Sequence, residues 1–304
     1  MPTCLIVGAG LAGLTAGRHL QSHGWNVTLL DKGRTVGGRM ATRSFSGATF
    51  DHGAQFFTTR DPRFTAEVQH WIEAGIAREW FDSEDGHTRY CGTKGMGSIA
   101  EYLAQPLDAR PSEHVESISR DGLWQVQTRT ARYYADALIL TPPVEQSLAL
   151  VNLPYAPFAN IQYEPCFCAM AILAEPSKIP SPGYLRPGSG PISWIADNQQ
   201  KGISALPALT IHATPEFTRR HWDTDKSEVA NLLLEAAGYT AIETRLHRWK
   251  YSNLSSTSPE SCFRQNSLLL AGDAFAGPRI EGAYLSGLTA ASNLVSNPPA
   301  STNF

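Results

Sequence analysis

Cys4-Leu5-Ile6-Val7-Gly8-Ala9-Gly10-Leu11-Ala12-Gly13 is the stretch that decides the fold. Apolar residues of strand type run straight into a G-x-G-x-x-G turn, and a helical pattern follows. Gly8 permits the tight strand-to-helix turn, Gly10 lets backbone approach a pyrophosphate, and Gly13 lets the helix lie close to the strand. The free N–H groups and positive dipole end of that helix face the phosphates. A second apolar strand, Trp25 to Leu30, ends in Asp31. An acid about twenty residues after the glycines is placed to accept ribose hydroxyl bonds. Strand, glycines, helix, strand and acid in this order predict a dinucleotide site.

The next segment selects the dinucleotide. Asp31-Lys32-Gly33-Arg34-Thr35-Val36-Gly37-Gly38-Arg39-Met40-Ala41-Thr42-Arg43 is Gly-rich, basic and non-periodic, so it reads as a loop presenting Arg34 and Arg39 to anionic groups. A nicotinamide-binding unit would continue into another helix here. The pattern resembles the GG-Arg extension of the flavin amine oxidase superfamily, which lies along the FAD pyrophosphate and ribityl chain. The resemblance therefore favours FAD, bound non-covalently.

With 304 residues, 42% of them hydrophobic, the chain can bury a core large enough for two domains. A net charge of −3 and the lack of a lysine-rich run give no nucleic-acid face. Five cysteines form no disulfide framework, and Cys166 and Cys168 read as buried thiols on one strand face, with no metal site expected. The first strand begins at residue 3 or 4, which leaves no space for a signal peptide, and no apolar run is long enough to span a bilayer. The expectation is a soluble cytoplasmic protein.

Further along, Phe45 to Phe57 alternates around Gly47 like a hairpin, with a turn at Asp51-His52-Gly53. Asp61-Pro62 starts a helix carrying Phe64, Val68, Trp71 and Ile72 on one face. Short strands flank Asp85-Gly86, and a helix covers Ile99 to Leu103. A hairpin turns at Arg120-Asp121-Gly122, a third strand runs Tyr133 to Ala135, and Ala137 to Leu140 reads as a buried parallel strand. From Val144 to about Ser252 strands at 167–174, 192–196, 209–213 and 244–251, with a helix after Thr224, predict an antiparallel sheet with helices on one side. Ser267 to Ala271 is a last buried strand, ending in Gly272-Asp273, before a helix with small residues at Gly287, Ala290 and Ala291. A frayed tail is expected from Asn297.

These blocks together resemble the renalase-like flavoproteins of the flavin amine oxidase superfamily, nearly end to end. The most specific are Asp51-His52-Gly53-Ala54-Gln55-Phe56-Phe57-Thr58-Thr59-Arg60-Asp61 and Arg279-Ile280-Glu281-Gly282-Ala283-Tyr284-Leu285-Ser286-Gly287, with Ile211-His212-Ala213-Thr214 beside them. The implied fold is α/β: a Rossmann-type FAD-binding domain (1–52, 98–145 and 253–304) interleaved with an α+β substrate domain on a mainly antiparallel sheet (53–97 and 146–252). The resemblance carries cofactor contacts onto Gly8, Ala9, Gly10, Leu11, Ala12 and Gly13, and onto Asp31, Lys32, Arg34, Gly38, Arg39 and Met40. It extends them to Gly53, Ala54, Gln55, Phe56, Val115, Thr141, Gly272, Asp273, Glu281, Gly282 and Ala283. Asp273 would accept from ribityl hydroxyls, and the following helix would aim its N–H groups at the flavin.

The implied activity is an oxidase that takes hydride from dihydronicotinamides, the 2- or 6-dihydro isomers of NAD(P), and passes electrons to O2. Phe57, Trp194, His212 and Tyr284 are the pocket candidates, with aromatic faces to hold a flat ring. Two alternatives stay open. One is a true amine oxidase, for which Lys250 is the candidate lysine, although alternation puts it opposite Trp249 and Tyr251. The other is a flavin module that transfers electrons or senses redox state without turning over a small molecule.

Overall fold

The computed structural model describes residues 1–299; the rest of the tail expected from Asn297 lies outside the described residues. Thr3–Val7 is central in a six-stranded sheet ordered Phe263–Gln265, Leu268–Leu270, Ala137–Leu140, Thr3–Val7, Asn26–Asp31, Asp108–Pro111. Every neighbouring pair is parallel except the first, where Phe263–Gln265 runs antiparallel to Leu268–Leu270. Side chains alternate across this sheet as a period of two requires. Cys4 and Ile6 join a core with the helices Leu11–Ser22, Gly97–Ala104 and Ile280–Ser296. Leu5 and Val7 face the other way, onto the meander Val115–Asp121, Leu123–Thr128 and Arg132–Ala135. Both faces are covered, which is why these strands read as continuous apolar runs.

A second, five-stranded sheet is antiparallel throughout, ordered Tyr184–Leu185, Ile192–Asp197, Ala208–Ala213, Gln162–Ile172, Glu243–Ser256. Phe167, Ala169, Ala171 and Ile211 on one face pack against Val229 and Leu233 of the helix Lys226–Ala237. Cys168, Met170 and Ile172 on the other face cover Phe45, Ala48 and Phe50 of the hairpin Thr42–Asp51. Among the described residues all five cysteines are free. No described helix is long and apolar enough to cross a membrane.

Several elements were not legible in the chain. The edge strand Asp108–Pro111 is polar and shows no apolar alternation, because only its hydrogen bonds to Asn26–Asp31 make it a strand. Helices Val144–Leu150 and Pro215–Arg220 are too short for a periodic signal, and the first falls where only sheet was expected to begin. Strand Thr42–Phe45 also starts inside the stretch read as loop.

The helices Leu11–Ser22 and Ile280–Ser296 approach backbone to backbone. A Cβ on Gly287 would overlap the carbonyl of Ala12. Gly287→Ala must therefore push the two helices apart and should cost about 1–3 kcal/mol, the usual range for overpacking. Urea denaturation should show that loss. Gly188→Ala, whose Cβ meets no heavy atom within 4 Å, should leave the midpoint unchanged.

Candidate functional site

The carboxyl ends of the parallel strands bring Gly8, Asp31, Thr141 and Gly272 to one edge of the six-stranded sheet, where α/β folds bind ligands. Gly8 has φ +99°, and Thr141 Oγ1 fills the space a Cβ there would take, donating to the carbonyls of Val7 (2.9 Å) and Gly8 (3.1 Å). A Cβ on Gly13 would overlap the Gly8 carbonyl, whereas one on Gly10 would meet nothing within 4 Å. The protein itself does not fill the space at Gly10. No side chain caps the helix that starts at Leu11, so the N–H groups of Leu11, Ala12 and Gly13 are left for an anion.

Asp31 is bound into this loop. Its Oδ2 accepts from Ala9 N–H and its Oδ1 from Gly33 N–H, both at 2.6 Å. Burial raises its pKa, against the pull of those two N–H groups. Gly37 donates to the carbonyl of Ala9 at 2.8 Å, so the two glycine loops abut, with Gly38 beside Gly10. Lys32 reaches sideways to Gln146 (2.8 Å), and Arg34 is exposed. Val115 is buried among Leu30, Leu140 and Val126.

Arg39 turns inward. Its guanidinium grips Asp273 with two bonds (2.8 and 2.5 Å) and donates to the carbonyl of Ser252 at 3.0 Å. This ties the GG-Arg loop to the Gly-Asp turn 234 residues away. Met40 is buried, Ala54 N–H donates to the carbonyl of Arg39 (2.8 Å), and a Cβ on Gly53 would overlap that carbonyl. Gly272 N–H donates to Ser286 Oγ at 2.9 Å, and Gly282 lies against the carbonyl of Gly277. The Glu281 side chain, 3% exposed, accepts from the N–H groups of Arg60 (2.6 Å) and Asp61 (2.7 Å). Both bonds fall on Oε1, while Oε2 lies 3.9 Å from the Arg279 guanidinium.

The pocket candidates fall in two places. Phe57 and Tyr284 are core residues, joined through Phe64 at 5.9 and 5.1 Å between ring centres. Trp194 belongs to a half-buried cluster: it stacks on Tyr184 (4.8 Å), which stacks on Phe81, and Phe56 lies 5.3 Å away. His212 is the cross-strand partner of Trp194, and its Nε2 meets the carbonyl of His52 at 3.3 Å. His52 in turn contacts His247 and Trp249, and Trp249 Nε1 donates to the same carbonyl at 2.8 Å. Lys250 is exposed, over the Tyr251 ring at 5.3 Å, on a cleft of about 630 Å³ shared with Tyr163 and Trp222.

Sequence reasoning missed Lys201. It is fully buried, with Nζ 2.7 Å from Asp51 Oδ2 and 2.5 Å from the carbonyl of Gln55. Its neighbours Gln199, Gln200 and Gly202 make it look like any solvated loop lysine, so no local signal marked it. Three polar atoms beside this cluster are buried without a partner: Gln55 Oε1, His52 Nδ1 and Trp194 Nε1. Open glycine backbone, a free helix start and unmet polar atoms near aromatic rings together suit a dinucleotide that carries a flat heterocycle.

Residues 6–71 match the model of the NAD(P)-binding Rossmann-like domain family. The chain is 46% identical over 56 residues to a hydroxyneurosporene desaturase of Rubrivivax gelatinosus. It is 49% identical over 55 residues to a lysine-specific histone demethylase 1 homologue of Arabidopsis thaliana. Each match covers 18% of this chain, but only 11% and 3% of those proteins. Solved structures resemble it end to end. A protein from Exiguobacterium sp. 255-15 described as a candidate protoporphyrinogen oxidase superposes with a TM-score of 0.77 at 14% identity, covering 97% of this chain and 99% of that one. A putrescine oxidase bound to putrescine gives 0.75 at 16% identity, with 97% and 99% covered. A fatty acid isomerase from P. acnes gives 0.68 at 14%, with 98% and 99% covered. The chain thus has a Rossmann-type dinucleotide-binding start and the fold on which these oxidases, and that isomerase, are built.

Burial, aided by neighbouring charge, holds the histidines at the site neutral. The pKa of His52 is pushed down to about 3, and those of His212 and His247 to about 4. The unfolded chain binds protons at these sites below about pH 6.5, before the folded chain does. Stability from these groups is therefore full above about pH 6.5 and is lost progressively as pH drops towards about 4. Urea midpoints measured across that window should fall, and His212→Gln should make the fall shallower.

Proposed function

We propose that this chain is an FAD-dependent oxidoreductase of renalase-like type that oxidises dihydronicotinamides, the 2- or 6-dihydro isomers of NAD(P), with O2 as electron acceptor. Non-covalent FAD would supply the two-electron acceptor, taking hydride at N5 and giving hydrogen peroxide on reoxidation. The helix start at Leu11 and the backbone of Gly10 and Gly38 would hold the pyrophosphate. Asp31 has lone pairs left for a ribose hydroxyl, and the Gly53–Gln55 and Gly282–Ala283 backbones would frame the ring. The interleaved segments 53–97 and 146–252 would bring the substrate to it.

The observation that carries this reading is that, among the described residues, the groups around Gln55 are too weakly basic or too fully engaged to take up a proton. The three histidines there are neutral, with pKa values pushed down to about 3 to 4. Lys201 is the one feature that favours an amine oxidase, but its ammonium already serves Asp51, Gln55 and, at 4.8 Å, the Trp80 ring. Two of its three N–H groups are taken, and the head is fully buried beside that ring. A dihydropyridine needs neither group, because losing hydride makes its ring aromatic; positioning suffices. A misplacement of about 1 Å can cost roughly a hundredfold in rate, enough to separate these isomers from ordinary NADH.

The purified protein should be yellow, and acid precipitation should release FAD into the supernatant. Anaerobic mixing with isomer-enriched dihydronicotinamides should bleach the flavin fast, with NADH slow and benzylamine inert. Fast bleaching by the amine would overturn the substrate assignment. Asp31→Ala should weaken FAD binding by roughly 1.5–3 kcal/mol, the range for hydrogen bonds to a charged group. Flavin content after dialysis reads that effect directly.

A further inference from the structure

Gln55 is 6% exposed, and its amide can sit only one way round. Nε2 donates to the carbonyls of Asp51 (2.6 Å) and Gly53 (3.0 Å), and a carbonyl can only accept. Oε1 must point away from both, and it is buried with no donor. Leaving such an acceptor unmet is unfavourable. The surrounding chain nevertheless holds it there firmly.

Lys201 does much of the holding. Its Nζ joins Asp51 Oδ2 and the Gln55 carbonyl, and both charged side chains are fully buried. Asp51 Oδ1 accepts from Thr42 Oγ1 (2.5 Å) and Met96 N–H (2.8 Å). Thr210 Oγ1 donates to the Asp51 carbonyl at 3.0 Å, and Arg78 donates to the carbonyl of Lys201. Desolvating two charges brings little net stability, so a pair this completely satisfied acts chiefly to fix geometry.

We propose that Lys201 is a positioning residue: with Asp51 it sets the Gln55 segment so that Gln55 Oε1 accepts a hydrogen bond from an N–H of the bound flavin ring. The inference rests on the FAD reading above. It assigns Gln55 the ligand contact and gives Lys201 no contact with ligand at all. An isoalloxazine offers an N–H that no described protein group supplies to this atom, and ADP lacks that ring.

The test titrates flavin-stripped protein with FAD and, separately, with ADP. Gln55→Leu and Lys201→Met should each raise the Kd for FAD about tenfold and leave the Kd for ADP within twofold. Lys201→Arg, which keeps two donors on one charged head, should restore most of the FAD affinity. The double variant should bind FAD no worse than Lys201→Met alone, since both changes remove one contact. A merely structural lysine would lower the melting temperature and either spare both ligands or weaken both together, and either pattern would overturn the proposal. So would Gln55→Leu with wild-type FAD affinity, a result readable even if Lys201→Met fails to fold, because Gln55→Leu keeps the ion pair. Wild-type protein that binds ADP but takes up no FAD would instead fail the cofactor reading, and this proposal with it.

Discussion

The buried pair of Asp51 and Lys201 is the constraint on which the site depends. Asp51 ends the hairpin that packs under the antiparallel sheet, and Lys201 lies in the loop between two strands of that sheet. The carboxylate also receives Met96 N–H, just before the helix Gly97–Ala104 that packs under the parallel sheet. One carboxylate therefore fixes the hairpin, a loop of one sheet and a helix of the other. Neither charge has water to fall back on, so small displacements are penalised heavily in a way that apolar contacts would not match.

Two other long-range contacts extend the same logic. Arg39 with Asp273 closes the GG-Arg loop against the last buried strand, and Glu281 takes the N–H groups of Arg60 and Asp61. Each uses a carboxylate to satisfy donors that loops would otherwise leave unmet. Glycines complete the arrangement where backbone meets backbone: Gly53 against Arg39, Gly282 against Gly277 and Gly287 against Ala12. The two most specific sequence blocks thus have a physical reason to occur together, since Glu281 of the second holds the end of the first.

The electrostatic result is a site rich in fixed hydrogen-bonding groups and poor in mobile charge. The charged side chains nearest Gln55 are paired, the histidines are kept neutral by burial, and the aromatic rings around Trp194 stay half-exposed. Such an environment positions a flat, uncharged ring better than it moves protons. Gln55 Oε1, His52 Nδ1 and Trp194 Nε1 are buried there without a partner among the described residues.

The sequence by itself determined the Rossmann start, the two sheets, most helices and the glycine turns, because each depends on local pattern: period two, period 3.6, or a backbone only glycine adopts. It also marked Gly8, Asp31, Arg39 and Asp273 as special, though not that Arg39 and Asp273 would hold each other. Tertiary structure alone decided that Lys201 is a buried ion-pair partner, that Glu281 turns to Arg60 and Asp61, and that Phe57 and Tyr284 lie in the core while Trp194 does not. It alone made Asp108–Pro111 a strand. The reason is the same in each case. A side chain's burial and partners are set by residues as far as 234 positions away, and in sequence a lysine in a polar loop looks the same whether it meets water or a carboxylate.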